Sequence, residues 1–216
     1  MKNLSVFLVV FLFHPAVSEL FGQQVWTLQK EESGVQVYTK LTPGSDFKTV
    51  KTVCTLQTTL SRMTAILLDV MRTPEWVYGT KSCKLLKQES PSSLFYYAEM
   101  GMPWPVKNRD FIIRISVAQD PLTKVVTVIA ENKPDYFPEQ KGNIRIMKSS
   151  GKWTITPLTN GQLRVQYELH VDPGGQLPAN IVNMFMYDGP YETFKKLPSR
   201  ASMTVYENQR LSFIRD

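Results

Sequence analysis

Few residues in this chain are of types that could do chemistry. There are two histidines. His14 falls in the N-terminal apolar stretch. His170 lies out of phase with Tyr167 and Leu169, so its ring is expected in solvent. Neither is placed to act as the base of a nucleophile. The spacings CxxC, HExxH and GxSxG do not occur, nor does a glycine-rich phosphate loop. No metal and no cofactor are expected. What remains is charge inside apolar strands: Glu99 at the end of one, Arg145 between Ile144 and Ile146, and Arg109–Asp110 opening another. An unpaired buried charge is very costly. Each therefore joins an internal ion pair, sits at a wet strand end, or receives a ligand head group. Arg109 and Asp110 are read in the first two ways, while Glu99 and Arg145 stay open to all three. A mostly apolar cavity needs only a few placed polar groups, and Tyr97, Glu99, Arg145 and Tyr167 are the candidates.

These groups need strands to position them. Val35–Leu41 alternates apolar and polar residues, a half-buried strand. A turn at Thr42–Ser45 leads into a second strand, Phe47–Leu56. Thr58 or Thr59 caps a helix with Leu60, Met63, Ile66, Leu67 and Val70 on one face. A helical turn at Thr73–Pro74 carries Trp76. Strands follow over Cys83–Glu89, Leu94–Met100 and Arg109–Val117, the last with Phe111, Ile113 and Ile115 on one face. Val125–Ala130, Ile144–Met147 and Lys152–Leu158 continue the pattern. Thr159-Asn160-Gly161 is a hairpin signal, and Leu163 to Val171 is the cleanest alternation in the chain. Gln23–Lys30 reads as a weakly helical lead-in.

After these strands comes one long helical stretch, Asp172–Pro198. Asp-Pro-Gly-Gly is turn chemistry, and Ile181, Met184, Tyr187, Tyr191, Phe194 and Leu197 recur on one face. Pro190 is expected to kink the helix, because its ring collides with the Met186 carbonyl, and Pro198 to stop it. The sum is about nine strands in an antiparallel meander, two short helices and a long C-terminal helix that covers the sheet. This is an α+β architecture.

The chain has 216 residues, 43% apolar and 20% charged, and a net charge of +6. That is ordinary for one globular domain. The Lys and Arg are scattered, which argues against nucleic acid. Lys2, the apolar run Leu4–Phe13 and the small residues of Ala16-Val17-Ser18 predict an export signal over residues 1–18 with cleavage before Glu19, leaving a single domain, 19–216. Cys54 and Cys83 then form one disulfide or remain two buried thiols. If their strands pair antiparallel, their ends are neighbours, which favours the bridge.

Tyr96-Tyr97-Ala98-Glu99, Pro103-Trp104-Pro105 with Asn108-Arg109-Asp110-Phe111, Lys141-Gly142-Asn143-Ile144-Arg145, and Asp172-Pro173-Gly174-Gly175-Gln176-Leu177-Pro178 through Asn183 together resemble the START (steroidogenic acute regulatory protein-related lipid transfer) domain family. The resemblance covers roughly Gln24 to Leu197 and implies a helix-grip fold: a curved antiparallel sheet around a long C-terminal helix, with a lipid tunnel between them. It implies that the loop Asn132–Gly142 and the helix Pro178–Leu197 form the lid. An exported single-domain chain is most similar to the bacterial branch. Ile115 and Thr73 stand where several family members carry a head-group Arg, so neither a sterol nor phosphatidylcholine is assigned as ligand.

The expected function is non-catalytic binding, with transfer, of a lipid or other hydrophobic small molecule. Phe111, Ile113, Ile115, Met184, Tyr187 and Tyr191 are expected to line the cavity beside the polar candidates. Tyr136 and Phe137, between two prolines, either touch a membrane surface transiently or pack as an ordinary loop. A monomer is expected, periplasmic or secreted. The alternatives are a polyketide cyclase or aromatase using Glu99, Arg145 and Tyr167 as acid–base groups, and a scaffold that binds only proteins.

Overall fold

The computed structural model describes residues 25–216. The expected export signal and its cleavage site lie outside the described residues. Ten strands make one curved sheet: β1 (Thr27–Glu32), β2 (Val35–Thr42), β3 (Ser45–Gln57), β4 (Thr80–Ser90), β5 (Ser93–Met100), β6 (Arg109–Gln119), β7 (Val126–Asn132), β8 (Ile144–Arg145), β9 (Lys148–Pro157) and β10 (Gln162–Asp172). Their order is β1-β2-β3-β10-β9-β7-β6-β5-β4, with β8 beside β6. Only the short β6–β8 pair is parallel. β4 to β10 form the expected meander, and β3 joins the far side of β10.

The lead-in is a strand, not a helix. Ser33 (φ 52°) and Gly34 (φ 75°) both take left-handed conformations, the type I′ geometry that closes β1 onto β2. The Asn160–Gly161 turn uses the same geometry, at φ 64° and 70°, ahead of β10. The alternation of β10 holds: Leu163 and Val165 are buried on the inner face. Among the described residues β4 is an edge strand, paired only with β5, and its register shifts at three places.

Helix α1 (Leu60–Leu68) follows β3; the Thr59 hydroxyl accepts from the Arg62 amide at 3.2 Å. With a 3-10 turn over Val70–Glu75, it carries the chain across to the far edge at β4. Leu60, Met63 and Ile66 are almost fully buried in the core cluster, together with Phe194, Leu197 and Tyr206.

The C-terminal helix is divided into α2 (Ala179–Phe185), α3 (Asp188–Lys195) and α4 (Leu197–Ala201). The interruption at Met186–Tyr187 lies one turn before Pro190. Pro190 has no N–H for the Met186 carbonyl, so α2 ends there, and α3 begins anew with Tyr191 N bonded to Tyr187 O at 3.1 Å. Pro198 does not stop the run. α3 has already ended, and Pro198 occupies the first turn of α4, where a missing N–H costs nothing.

The Cys54–Cys83 bridge is contradicted. Five strands separate β3 from β4 in the sheet, so the antiparallel pairing on which it rested does not form, and both thiols are free. The polypeptide gives no local sign that β3 will seek β10, more than a hundred residues later.

Candidate functional site

Because strand side chains alternate between faces, one face of β5, β6, β7, β9 and β10 looks toward α3. Between them lies a cavity of about 270 Å³. Tyr96, Phe111, Ile113, Trp153 and Tyr167 form its strand side. Pro190, Thr193 and Phe194 of α3 form its cover, and Val70 and Trp76 close one flank. Trp153 is the centre of an aromatic stack, 4.2 Å from the Tyr167 ring and 5.5 Å from that of Phe194, with Trp76 at 6.4 Å. Burial holds the phenols of Tyr96 and Tyr167 well above the usual tyrosine range, so both stay neutral hydroxyls.

Four of the expected cavity residues are there: Phe111, Ile113, Ile115 and Tyr167. Tyr97, Glu99 and Arg145 are not. The register pairs Tyr96 with Ile113 and Ala98 with Phe111. Tyr96 therefore shares the inner face, and its neighbour Tyr97 must point outward. Only the register of β5 on β6 tells the two tyrosines apart. Met184 is 56% exposed on α2. Tyr187 packs against the core from the α2–α3 junction but is not among the cavity residues. Tyr191 is buried with the Lys30 ammonium 3.7 Å from its ring centre. Trp153, Phe194, Pro190 and Trp76 line the cavity in addition to the residues expected from the sequence. Trp153 sits on the same face of the strand alternation as Ile155 and was the most legible of them.

The charged residues build a second structure on the outer face. Arg145 grips Asp110 with two hydrogen bonds, Nε–Oδ1 at 2.9 Å and Nη2–Oδ2 at 3.1 Å, both side chains being buried. Its remaining donors reach the carbonyls of Pro134, Phe137 and Pro138. Tyr136 stacks on Phe95 at 4.2 Å and Phe137 lies 6.0 Å from Tyr97, both partners on β5. The loop 133–143 is thus fastened to the outside of the sheet and supplies no cavity residue, which corrects its expected place in the lid. The neighbouring Arg109 donates to the carbonyls of Pro173 and Gly174 at 3.1 and 3.2 Å, fixing the turn that leads to α2. Glu99 binds Asn108 at 2.8 Å and Lys81 at 3.3 Å. Glu99, Arg145 and Tyr167 therefore never meet, and the cyclase site built from them is not formed.

The helix that leads into the cover has its own fastening. The Asn183 amide of α2 accepts from Lys48 N at 3.0 Å and donates to Asp46 O at 2.9 Å, tying α2 to β3. Trp104, between Pro103 and Pro105 in the β5–β6 loop, is 93% exposed.

A START domain family profile matches residues 20–204. The chain belongs to the START domain family. An uncharacterized protein of Pseudomonas aeruginosa is 36% identical over 178 residues, 82% of this chain and 86% of that one. Mouse phosphatidylcholine transfer protein is 27% identical over 169 residues, 76% of this chain and 78% of that one. Among solved structures, a STAR-related lipid transfer protein from Xanthomonas axonopodis superposes with a TM-score of 0.77 at 29% identity, covering 82% of this chain and 99% of its own. The fold is that of helix-grip lipid transfer domains.

Proposed function

We propose that this chain holds one hydrophobic lipid between its sheet and α3, and carries it between membranes without altering it. The observation that carries this reading is the apolar cavity under a segmented cover, in which Thr193 of α3 accepts from Tyr78 N and α2 is tied through Asn183. Each methylene moved into it from water contributes about 0.8 kcal/mol. The relatives named as lipid transfer proteins support a carrier rather than an enzyme. Delivery needs transient contact with a bilayer. The exposed Trp104 is better placed for that than Tyr136 and Phe137, whose rings are engaged on β5. The carrier works as a monomer, exported to the periplasm or beyond by the N-terminal signal. N-terminal sequencing of the released protein tests the export: Glu19 as first residue agrees with it, and an intact Met1 overturns it.

Native mass spectrometry of the gently purified protein tests the main reading. A co-purifying lipid mass, and transfer of a labelled lipid from donor to acceptor vesicles, are expected. A protein that arrives empty and accepts none of a broad lipid panel is not a carrier.

A further inference from the structure

The cavity's polar content is specific. Among the described residues, none that lines it carries a formal charge. The buried charges nearby are consumed elsewhere: Arg145 by Asp110 and the outer loop, Arg109 by the turn before α2. A phosphate or carboxylate drawn inside would lose its water with no cation to replace it, a strongly unfavourable exchange. Yet the cavity is not purely hydrocarbon. Tyr96 and Tyr167 both line it, both are half-buried, and no hydrogen bond of either hydroxyl is found among the described residues. A phenol hydroxyl that lines a cavity with no protein partner can donate to, and accept from, a ligand oxygen. At about 270 Å³ the space is also small, near the lower end of the usual range of about 300–1,000 Å³ for ligand pockets.

Resting on the lipid-binding reading, we propose that the cargo is an uncharged lipid whose hydroxyl or carbonyl oxygen is held by Tyr96 and Tyr167, and that ionised lipids are refused. The phenols stay protonated, so they offer donors at every physiological pH and never an anion. A phosphodiester, such as the one in the lipid named for the mouse relative, would find hydroxyls but no cation.

The test loads the delipidated full-length mature protein from vesicles doped with hexadecanol, palmitate, phosphatidylglycerol, phosphatidylcholine or hexadecane, and reads bound lipid by native mass spectrometry. Hexadecanol and palmitate share a chain and differ in the head. At neutral pH, hexadecanol is expected to load at least about tenfold better than palmitate, the equivalent of about 1.4 kcal/mol, and better than either phospholipid. A Tyr96→Phe/Tyr167→Phe variant keeps both rings; it is expected to lose about tenfold in hexadecanol while holding hexadecane as before. Equal or better loading of palmitate or a phospholipid overturns the proposal but leaves lipid binding intact. So does a variant that binds hexadecanol undiminished. A variant that also loses hexadecane has lost the cavity rather than a hydrogen bond, and overturns the assignment to the hydroxyls. If the wild type accepts no probe at all, the lipid-binding reading itself fails.

Discussion

The Tyr167 hydroxyl lies 2.8 Å from the point where a β-carbon on Gly151 would stand. Residue 151 on β9 is thus a glycine for room, because the facing strand sends a phenol across it. Tyr167 cannot swing away freely, since its ring is stacked on Trp153. Gly151→Ala is expected to cost about 1–3 kcal/mol in urea unfolding through overpacking, and to displace the hydroxyl from the cavity. An alanine variant as stable as wild type and with unchanged lipid loading would contradict this.

Arg145 is expected to matter for stability and not for ligand affinity. Replacing it by Met leaves Asp110 buried without its partner, at about 3–5 kcal/mol, and frees the loop 133–143. The double change Arg145→Met/Asp110→Leu should recover much of that loss. Denaturation curves for the single and double variants measure both. A single variant within about 0.5 kcal/mol of wild type would mean that the pair contributes nothing.

Asn183 makes the two polar ties found between α2 and β3 among the described residues. Asn183→Ala should cost the fold only about 1–2 kcal/mol while raising the rate of lipid exchange between vesicles several-fold, with little change in the amount bound at equilibrium. Exchange at the wild-type rate would show that α2 does not gate the cavity.

Alkali should unfold this protein before mild acid does. Burial raises the Tyr96 and Tyr167 phenols above the ordinary value, and raises the thiols from 9.0 to about 11 for Cys83 and about 12 for Cys54. The unfolded chain gives up these protons first. The native state binds more of them, so stability is full below the unfolded values and falls as pH climbs past about 9–10. Thermal melts across alkaline pH should drop more steeply for wild type than for Tyr96→Phe/Tyr167→Phe. Without reductant, iodoacetamide should label both cysteines rapidly in denaturant and slowly in the native protein; a mass change on reduction alone would restore the disulfide.

Trp104→Ala should weaken co-sedimentation with vesicles, whereas Tyr136→Ala/Phe137→Ala should chiefly lower stability by removing the stack on Phe95. The reverse pattern would return membrane contact to the loop 133–143.

Much of the fold was legible because its signals are local. The alternation from Leu163 to Val171, the Asn160–Gly161 turn, the Thr59 cap and the Phe111–Ile113–Ile115 face all act within a few residues. The first strand carries a weak helical pattern of its own, and only the equally local Ser33–Gly34 turn marks it as half of a hairpin. What could not be read was pairing at long range. Nothing near Cys54 announces that β3 borders β10, and nothing near Arg145 names Asp110 as its partner. The site was half legible for the same reason. Residues on β6 declare their face by their own alternation, but Tyr96 and Tyr97 are both aromatic, so only registration against β6 decides between them. Met184 and Tyr187 share a periodic stripe with Tyr191, but the helix breaks between α2 and α3, and only α3 contributes to the cavity.

The free edge at β4 has a consequence for the life of the molecule in a crowded compartment. An open sheet ends in unpaired amides and carbonyls, a template on which another chain can add a strand. β4 denies that template in two ways: its register slips at three places, and Lys81, Lys84 and Lys87 punctuate its length. In the carrier proposed above, a cover that lifts to exchange cargo would make the apolar interior briefly a liability of a second kind. With the β4 edge guarded, two emptied molecules that collide cannot zip together along that strand, and an encounter there can end in separation rather than in a fibril.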